Sequence, residues 1–92
     1  MNLTDAQLAE IEAFGYVQFN ADKIATVMQL DASELKQELL HPGTPAFNAY
    51  NKGRYMADFD IRTSTFDLAK RGSLQAIIIA KEYTNQLKQD EI

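Results

Sequence analysis

Helix-capping residues recur along this chain, and the segments between them have the residue pattern of α-helices. Five polar residues of the kinds that favour N-caps are each followed by apolar residues three and four apart, the period of an α-helix. They are Thr4, Asn20, Asp31, Thr44 and Ser73. No segment alternates apolar and polar residues as an exposed strand would. The sequence therefore predicts an all-α fold.

Glycine and proline indicate where the predicted helices end. Gly15 is expected to end the first helix by taking the left-handed position that follows a helix C-terminus. His41-Pro42-Gly43 ends the third helix, because the residue before proline disfavours helical geometry. The fourth helix is expected over 45–71, with Gly53 in its interior, and the fifth ends near residue 88 after a break at Gly72.

Residues 21–39 have the spacing of a helix-turn-helix. Ala25 supplies the small residue at which two helices can cross closely, and apolar side chains flank it. Gln29 stands at the turn position that often holds glycine, and non-glycine residues enter the left-handed region at modest cost. We predict a homeodomain-like tri-helical unit over 1–43 and a long antiparallel helical hairpin over 44–92, together one compact domain. Two short helices of a small bundle without a DNA role would show the same apolar pattern.

The second helix of this motif would be the recognition helix, whose N-terminal residues face base edges in the major groove. Ser33, Lys36 and Gln37 are the residues there that could contact bases or phosphates. Charge opposes binding, since residues 1–40 carry two basic and seven acidic side chains, against seven basic and six acidic in 41–92. Because cations drive nucleic-acid affinity, we expect weak DNA binding by one copy and stronger, multivalent binding by an assembly.

The fourth and fifth helices are apolar around more than one face. Three consecutive isoleucines cannot all point to one side of a helix, and a helix that is apolar most of the way round is buried on most sides. In a chain of 92 residues this favours a homo-oligomer. The residues expected at its interface are Phe59, Phe66, Ile77, Ile78, Ile79 and Tyr83. The alternative is a monomer in which the hairpin packs against the first three helices.

Two basic residues of the fourth helix complete the predicted DNA-binding set. Lys52 and Arg54, with two neighbouring tyrosines, could form a phosphate-binding patch. A structural alternative exists, because Arg54, Asp58 and Arg62 have the four-residue spacing of an exposed ion-pair ladder.

Composition argues against several classes of function. The chain lacks cysteine and has a single histidine, so we expect no metal site and no cofactor. It has no nucleophile motif, and the paired carboxylates Asp58 and Asp60 lie on different helix faces and so cannot act together. We therefore do not expect the protein to be an enzyme. The N-terminus lacks the features of a signal peptide, and the longest apolar stretch, 76–80, is far shorter than the roughly 20 residues of a membrane span. We therefore expect a cytoplasmic protein without a membrane partner.

The order of parts, residues 4–40 followed by a loop and then by segments 47–54 and 66–76, resembles the small terminase subunits of phages and related phage helix-turn-helix proteins. AYNKGR at 49–54 is similar to the start of the central helix in that group, and FDLAKRGSLQA at 66–76 is similar to its hairpin turn. The resemblance implies a non-catalytic protein of phage or prophage origin, acting in the host cytoplasm. It would recognise viral DNA through Ser33, Lys36 and Gln37, assemble through the fourth and fifth helices, and regulate the large terminase subunit during genome packaging. The alternative is an oligomeric interaction or regulatory module that has the same fold and does not bind DNA.

Overall fold

The computed structural model describes residues 1–90, and no strand occurs among them, which confirms the all-α prediction. The helices are α1 (Asp5–Tyr16), α2 (Ala21–Met28), α3 (Ala32–Leu40), α4 (Pro45–Lys70) and α5 (Leu74–Asp90). None of them, in the described range, is long and apolar enough to cross a membrane. The chain divides into two compact units. Unit 1 is Met1–Ala57 and unit 2 begins at Asp58, so the division falls within α4.

The five helices begin at the predicted N-caps, because a side-chain oxygen at each cap accepts a hydrogen bond from a backbone N–H of the first turn. At α1 the capping box is complete: Thr4 Oγ1 accepts from the Gln7 N–H at 3.1 Å, and Gln7 Oε1 accepts from the Thr4 N–H at 2.8 Å. The other four bonds run from Lys23 to Asn20 (2.9 Å), Glu34 to Asp31 (2.7 Å), Phe47 to Thr44 (3.1 Å) and Ala76 to Ser73 (3.3 Å).

The connection between α2 and α3 is a tight turn through a non-glycine residue, as expected. Gln29 takes the left-handed conformation, with φ 58° and ψ 46°. Its N–H and that of Leu30 both donate to the carbonyl of Ala25, which closes the end of α2. Two residues later Asp31 caps α3. This geometry turns the chain within three residues and lets α2 and α3 pack directly on each other.

Gly15 does not end α1, and that prediction was wrong. α1 continues to Tyr16, and the left-handed residue after it is Gln18, with φ 62°. Gly15 is instead buried against the backbone of Tyr50 in α4, and Gly53 of α4 lies against the backbone carbonyl of Glu12. A β-carbon at either glycine would overlap main-chain atoms of the opposite helix. The two glycines therefore let α1 and α4 cross with their backbones in contact.

The core of unit 1 lies where the first four helices meet. Its fully buried members are Ile11, Ile24, Ala25, Leu35 and Ala46. Phe14 and Phe19 stack beside this core with ring centroids 5.6 Å apart. The Tyr50 hydroxyl donates to the Phe19 carbonyl at 2.7 Å, which fixes the segment between α1 and α2. α3 is held on this core by Leu35, and its opposite side is left to solvent.

Candidate functional site

The exposed face of α3 carries the three residues predicted to contact DNA. Successive residues of an α-helix are turned by about 100°, so Ser33, Lys36, Gln37 and Leu40 fall on one side, away from the buried Leu35. All four are exposed, and Leu40 is 71% accessible. This set, the α3 face, presents a hydroxyl, an ammonium, an amide and an aliphatic side chain. It holds no carboxylate.

The carboxylates of α3 lie beside this face rather than on it. Glu38 Oε1 is 3.3 Å and Glu34 Oε1 3.6 Å from the amine of Met1. The hydrogen bond to Glu38 and the charge of that carboxylate, with a smaller effect of Glu34, raise the pKa of the Met1 amine. Asp31 accepts the N-cap bond of its own helix. Each acidic side chain of α3 therefore has a local partner, which reduces the repulsion that the sequence predicts.

The two basic residues of α4 are in different surroundings. Lys52 Nζ is 3.4 Å from Glu12 Oε1 of α1, in an exposed ion pair. Arg54 Nη1 donates to Asn51 Oδ1 at 3.1 Å, and its guanidinium lies 5.9 Å from the centre of the Tyr50 ring. The tyrosine hydroxyl is already bonded to the Phe19 carbonyl. Lys52 and Arg54 thus have separate structural contacts and do not point to one shared phosphate.

A groove of about 390 Å³ brings Lys36 of α3 together with Arg54 of α4. Asn20 and Ala21, at the start of α2, also line it. Gln37 lies in a different hollow, together with Glu34, Glu38 and His41. The structure therefore joins two of the five predicted DNA-binding residues in one concave site, called here the α3–α4 groove.

The ion-pair ladder on α4 forms in part. Arg62 Nε donates to Asp58 Oδ2 at 3.1 Å, as the four-residue spacing predicts. The same guanidinium lies 4.1 Å from the ring centre of Tyr83 on α5, and that ring is 6.3 Å from the ring of Phe66. Tyr83 and Phe66 therefore contact side chains of their own unit, and Arg62 belongs to unit 2 rather than to a patch with Arg54.

Unit 2 leaves most of its large apolar side chains exposed. Within the described residues 58–90, only Ala76 and Ala80 are buried. Of the six residues predicted at an oligomer interface, Phe59, Phe66, Ile78 and Ile79 are exposed, and Ile77 and Tyr83 are half-buried. Four further exposed apolar residues of unit 2 lie outside the predicted interface set: Ile61, Leu68, Leu74 and Leu87. Their spacing held a usable signal, because Leu74 lies four residues before Ile78 on the same helical face.

The described residues contain no group of three or more histidine, cysteine, aspartate or glutamate side chains placed to hold a metal ion. Comparison with known protein families, with curated proteins and with solved structures finds no match for this chain. Its function has to be inferred from the α3 face, the α3–α4 groove and the exposed surface of unit 2.

Proposed function

We propose that this chain is a non-catalytic DNA-binding protein that acts as a homo-oligomer, in the manner of the small terminase subunits it resembles. In this proposal α2 and α3 form a helix-turn-helix and α3 is the recognition helix. Unit 2 provides the surface through which copies associate. A large terminase subunit would be a further protein partner, and the setting would be the cytoplasm of a host cell.

The α2–α3 pair supports the helix-turn-helix assignment. Ile24 and Leu35 are fully buried and Ala25 is 2% exposed, so the two helices meet through the residues such a motif uses. The turn at Gln29 is left-handed and is followed at once by the Asp31 cap. With one side held by the core, α3 has only its other side available for a partner.

The absence of carboxylates from the α3 face is the observation on which the proposal depends. Glutamine can bond both N6 and N7 of adenine, serine can bond any base edge, and lysine bonds guanine or a phosphate. An aliphatic side chain such as Leu40 can contact a thymine methyl group. Glu34 and Glu38, which line a hollow together with Gln37, each form an ion pair with the Met1 amine, and this pairing offsets part of their repulsion of phosphates.

Affinity per copy is expected to be low, since unit 1 has four basic side chains against seven acidic ones. Phosphate contacts provide most of the affinity for DNA, and the α3 face has one cation. Several copies held together would raise the effective concentration of the next α3 face and strengthen binding without any new contact. Unit 2 supports such an assembly, because an apolar surface of this extent on a small protein marks an interaction site.

The test is fluorescence anisotropy of a labelled pool of random 30-base-pair duplexes at about 50 mM salt, with native mass measured on the same sample. We expect an assembly of several copies whose DNA affinity falls as salt rises. Lys36→Gln should weaken binding and lower the salt dependence by about one phosphate contact per copy. Lys81→Gln, an exposed charge change on α5, is the matched control and should leave the affinity unchanged.

One observation favours a second candidate function, an oligomeric interaction module that does not bind DNA. Unit 1 is acidic as a whole, and its net charge repels a polyanion at long range. An assembly that shows no salt-sensitive binding to the duplex pool would favour this candidate. A monomer without DNA affinity would contradict both.

A further inference from the structure

We infer that the α3–α4 groove is a docking site for a short acidic segment of a partner protein, one that presents a large apolar side chain next to a carboxylate. The groove lies between α3 and α4 in unit 1 and measures about 390 Å³. That volume falls in the range of sites that hold one or two side chains of a partner or a small ligand. This inference goes beyond the proposed DNA-binding function and does not depend on it.

Much of the lining of the groove is apolar. Leu39, Leu40 and Phe47 contribute to it, and Leu40 is among the most exposed leucines of the described residues. A leucine that stays in water while its neighbour Leu39 packs on the core gains free energy if a partner covers it. This surface therefore favours an apolar side chain over water.

The charged residues that line the groove are both cations. They are Lys36 and Arg54, and no acidic side chain among the described residues lines it, although the chain as a whole carries a net charge of −4. Within the described residues no carboxylate lies within ion-pair distance of Lys36 or Arg54. A carboxylate that enters beside the apolar lining would meet two cations that have no ion-pair partner among the described residues.

Two contacts favour one orientation of the Arg54 guanidinium, a hydrogen bond to Asn51 and its position 5.9 Å from the centre of the Tyr50 ring. The Asn51 amide nitrogen donates to the Phe47 carbonyl at 2.9 Å, which directs its oxygen to accept from Arg54 Nη1 at 3.1 Å. One of the five N–H groups of the guanidinium is used in this way, and the planar fork is suited to a carboxylate. Because the hydrogen bond to Asn51 restricts the side chain before binding, less conformational entropy would be lost when a ligand binds.

An acidic peptide fits these features better than the DNA backbone does. A phosphodiester would satisfy Lys36 and Arg54, but it has no apolar group to cover Leu39, Leu40 and Phe47. A peptide offers both kinds of group on adjacent residues. Because Lys36 belongs to the α3 face as well as to the groove, peptide and DNA would compete for it.

The full chain, labelled with ¹⁵N, would be titrated with the peptide acetyl-ELFE-amide and followed by amide chemical shifts. We expect saturable shifts at Leu40, Phe47 and Asn51. Acetyl-KLFK-amide and acetyl-EAAE-amide should each bind at least about fivefold more weakly, since one lacks the charge and the other the apolar groups. Lys36→Gln and Leu40→Ser, both at exposed positions, should weaken the ELFE peptide roughly twofold to fivefold, and Lys81→Gln should not.

Three results would overturn the inference: equal binding of all three peptides, shifts confined to residues outside the groove, or no shifts with any acidic peptide. A 16-base-pair duplex that shifts the groove amides while the peptide does not would assign the groove to DNA. If the ELFE peptide binds and no duplex does, the docking site stands and the proposed DNA-binding function fails. The two proposals are therefore separable.

Discussion

Gly53→Ala is the substitution whose sign the structure determines most clearly. In an unobstructed helix interior, alanine in place of glycine stabilises by about 1 kcal/mol. Here the new β-carbon would overlap the Glu12 carbonyl and would lie 2.8 Å from the Tyr16 nitrogen, both main-chain atoms of α1. Such atoms cannot rotate away as a side chain can, and normal contact distances of about 3.5 Å or more require α1 to move.

The expected result is a net loss of stability. Overpacking costs about 1 to 3 kcal/mol, and moving a helix backbone falls in the upper part of that range. After subtraction of the gain in helix propensity, the free energy of unfolding should fall by about 1 to 2 kcal/mol. For a domain of this size that lowers Tm by roughly 4 to 16 °C.

Urea unfolding followed by circular dichroism, at one fixed protein concentration, measures this change. Ser64→Ala is the control, because Ser64 is an exposed residue in the interior of the same helix and its substitution adds no atom that could displace a neighbour. It should raise stability by up to about 0.5 kcal/mol. If Gly53→Ala raises stability as Ser64→Ala does, the direct backbone contact between α1 and α4 is refuted.

Three further predictions follow from named contacts. The raised pKa of the Met1 amine means that its ion pair stabilises the fold fully below about pH 8. This stability should be lost as pH rises through the folded-state pKa, and Glu38→Gln should remove most of that decline in urea titrations between pH 7 and 9.5. Gln29→Gly should raise the unfolding free energy by up to about 1 kcal/mol, because it relieves a left-handed residue; an unchanged midpoint would contradict the strained turn. Ile78→Glu should reduce the native mass measured by light scattering, whereas Lys81→Gln on the same helix should not; an unchanged mass for both would place any self-association elsewhere.

Local chemistry explains which parts of the fold could be predicted from sequence. A cap such as Asn20 accepts a hydrogen bond from a backbone N–H three residues away. Both partners lie within one helical turn, so the start of the helix can be predicted from a short stretch of sequence. The failure at Gly15 has the opposite cause. Glycine serves both a left-handed turn and a close backbone crossing, and only the position of Tyr50 in space distinguishes the two.

Some features of the candidate site could likewise be predicted from local sequence, and others depend on tertiary packing. That Ser33, Lys36 and Gln37 share a face follows from helical spacing alone. That the amine of Met1 lies against Glu38, 37 residues along the chain, depends on tertiary packing and has no signature in the sequence. The same is true of Arg54, whose distance from Lys36 in sequence gives no sign that both line one groove.

Within the described residues 58–90 the buried side chains are all alanines. If copies associate as proposed, the extent to which unit 2 is folded would therefore depend on protein concentration. Two alanine side chains contribute little free energy from the hydrophobic effect. In the proposed assembly, unit 2 would gain further stability when Phe59, Ile78 and Leu74 are covered. By mass action, dilution would then loosen unit 2 first and concentration would order it. The amount of protein in the cell would set not only how many copies associate, but also how much of each copy is structured.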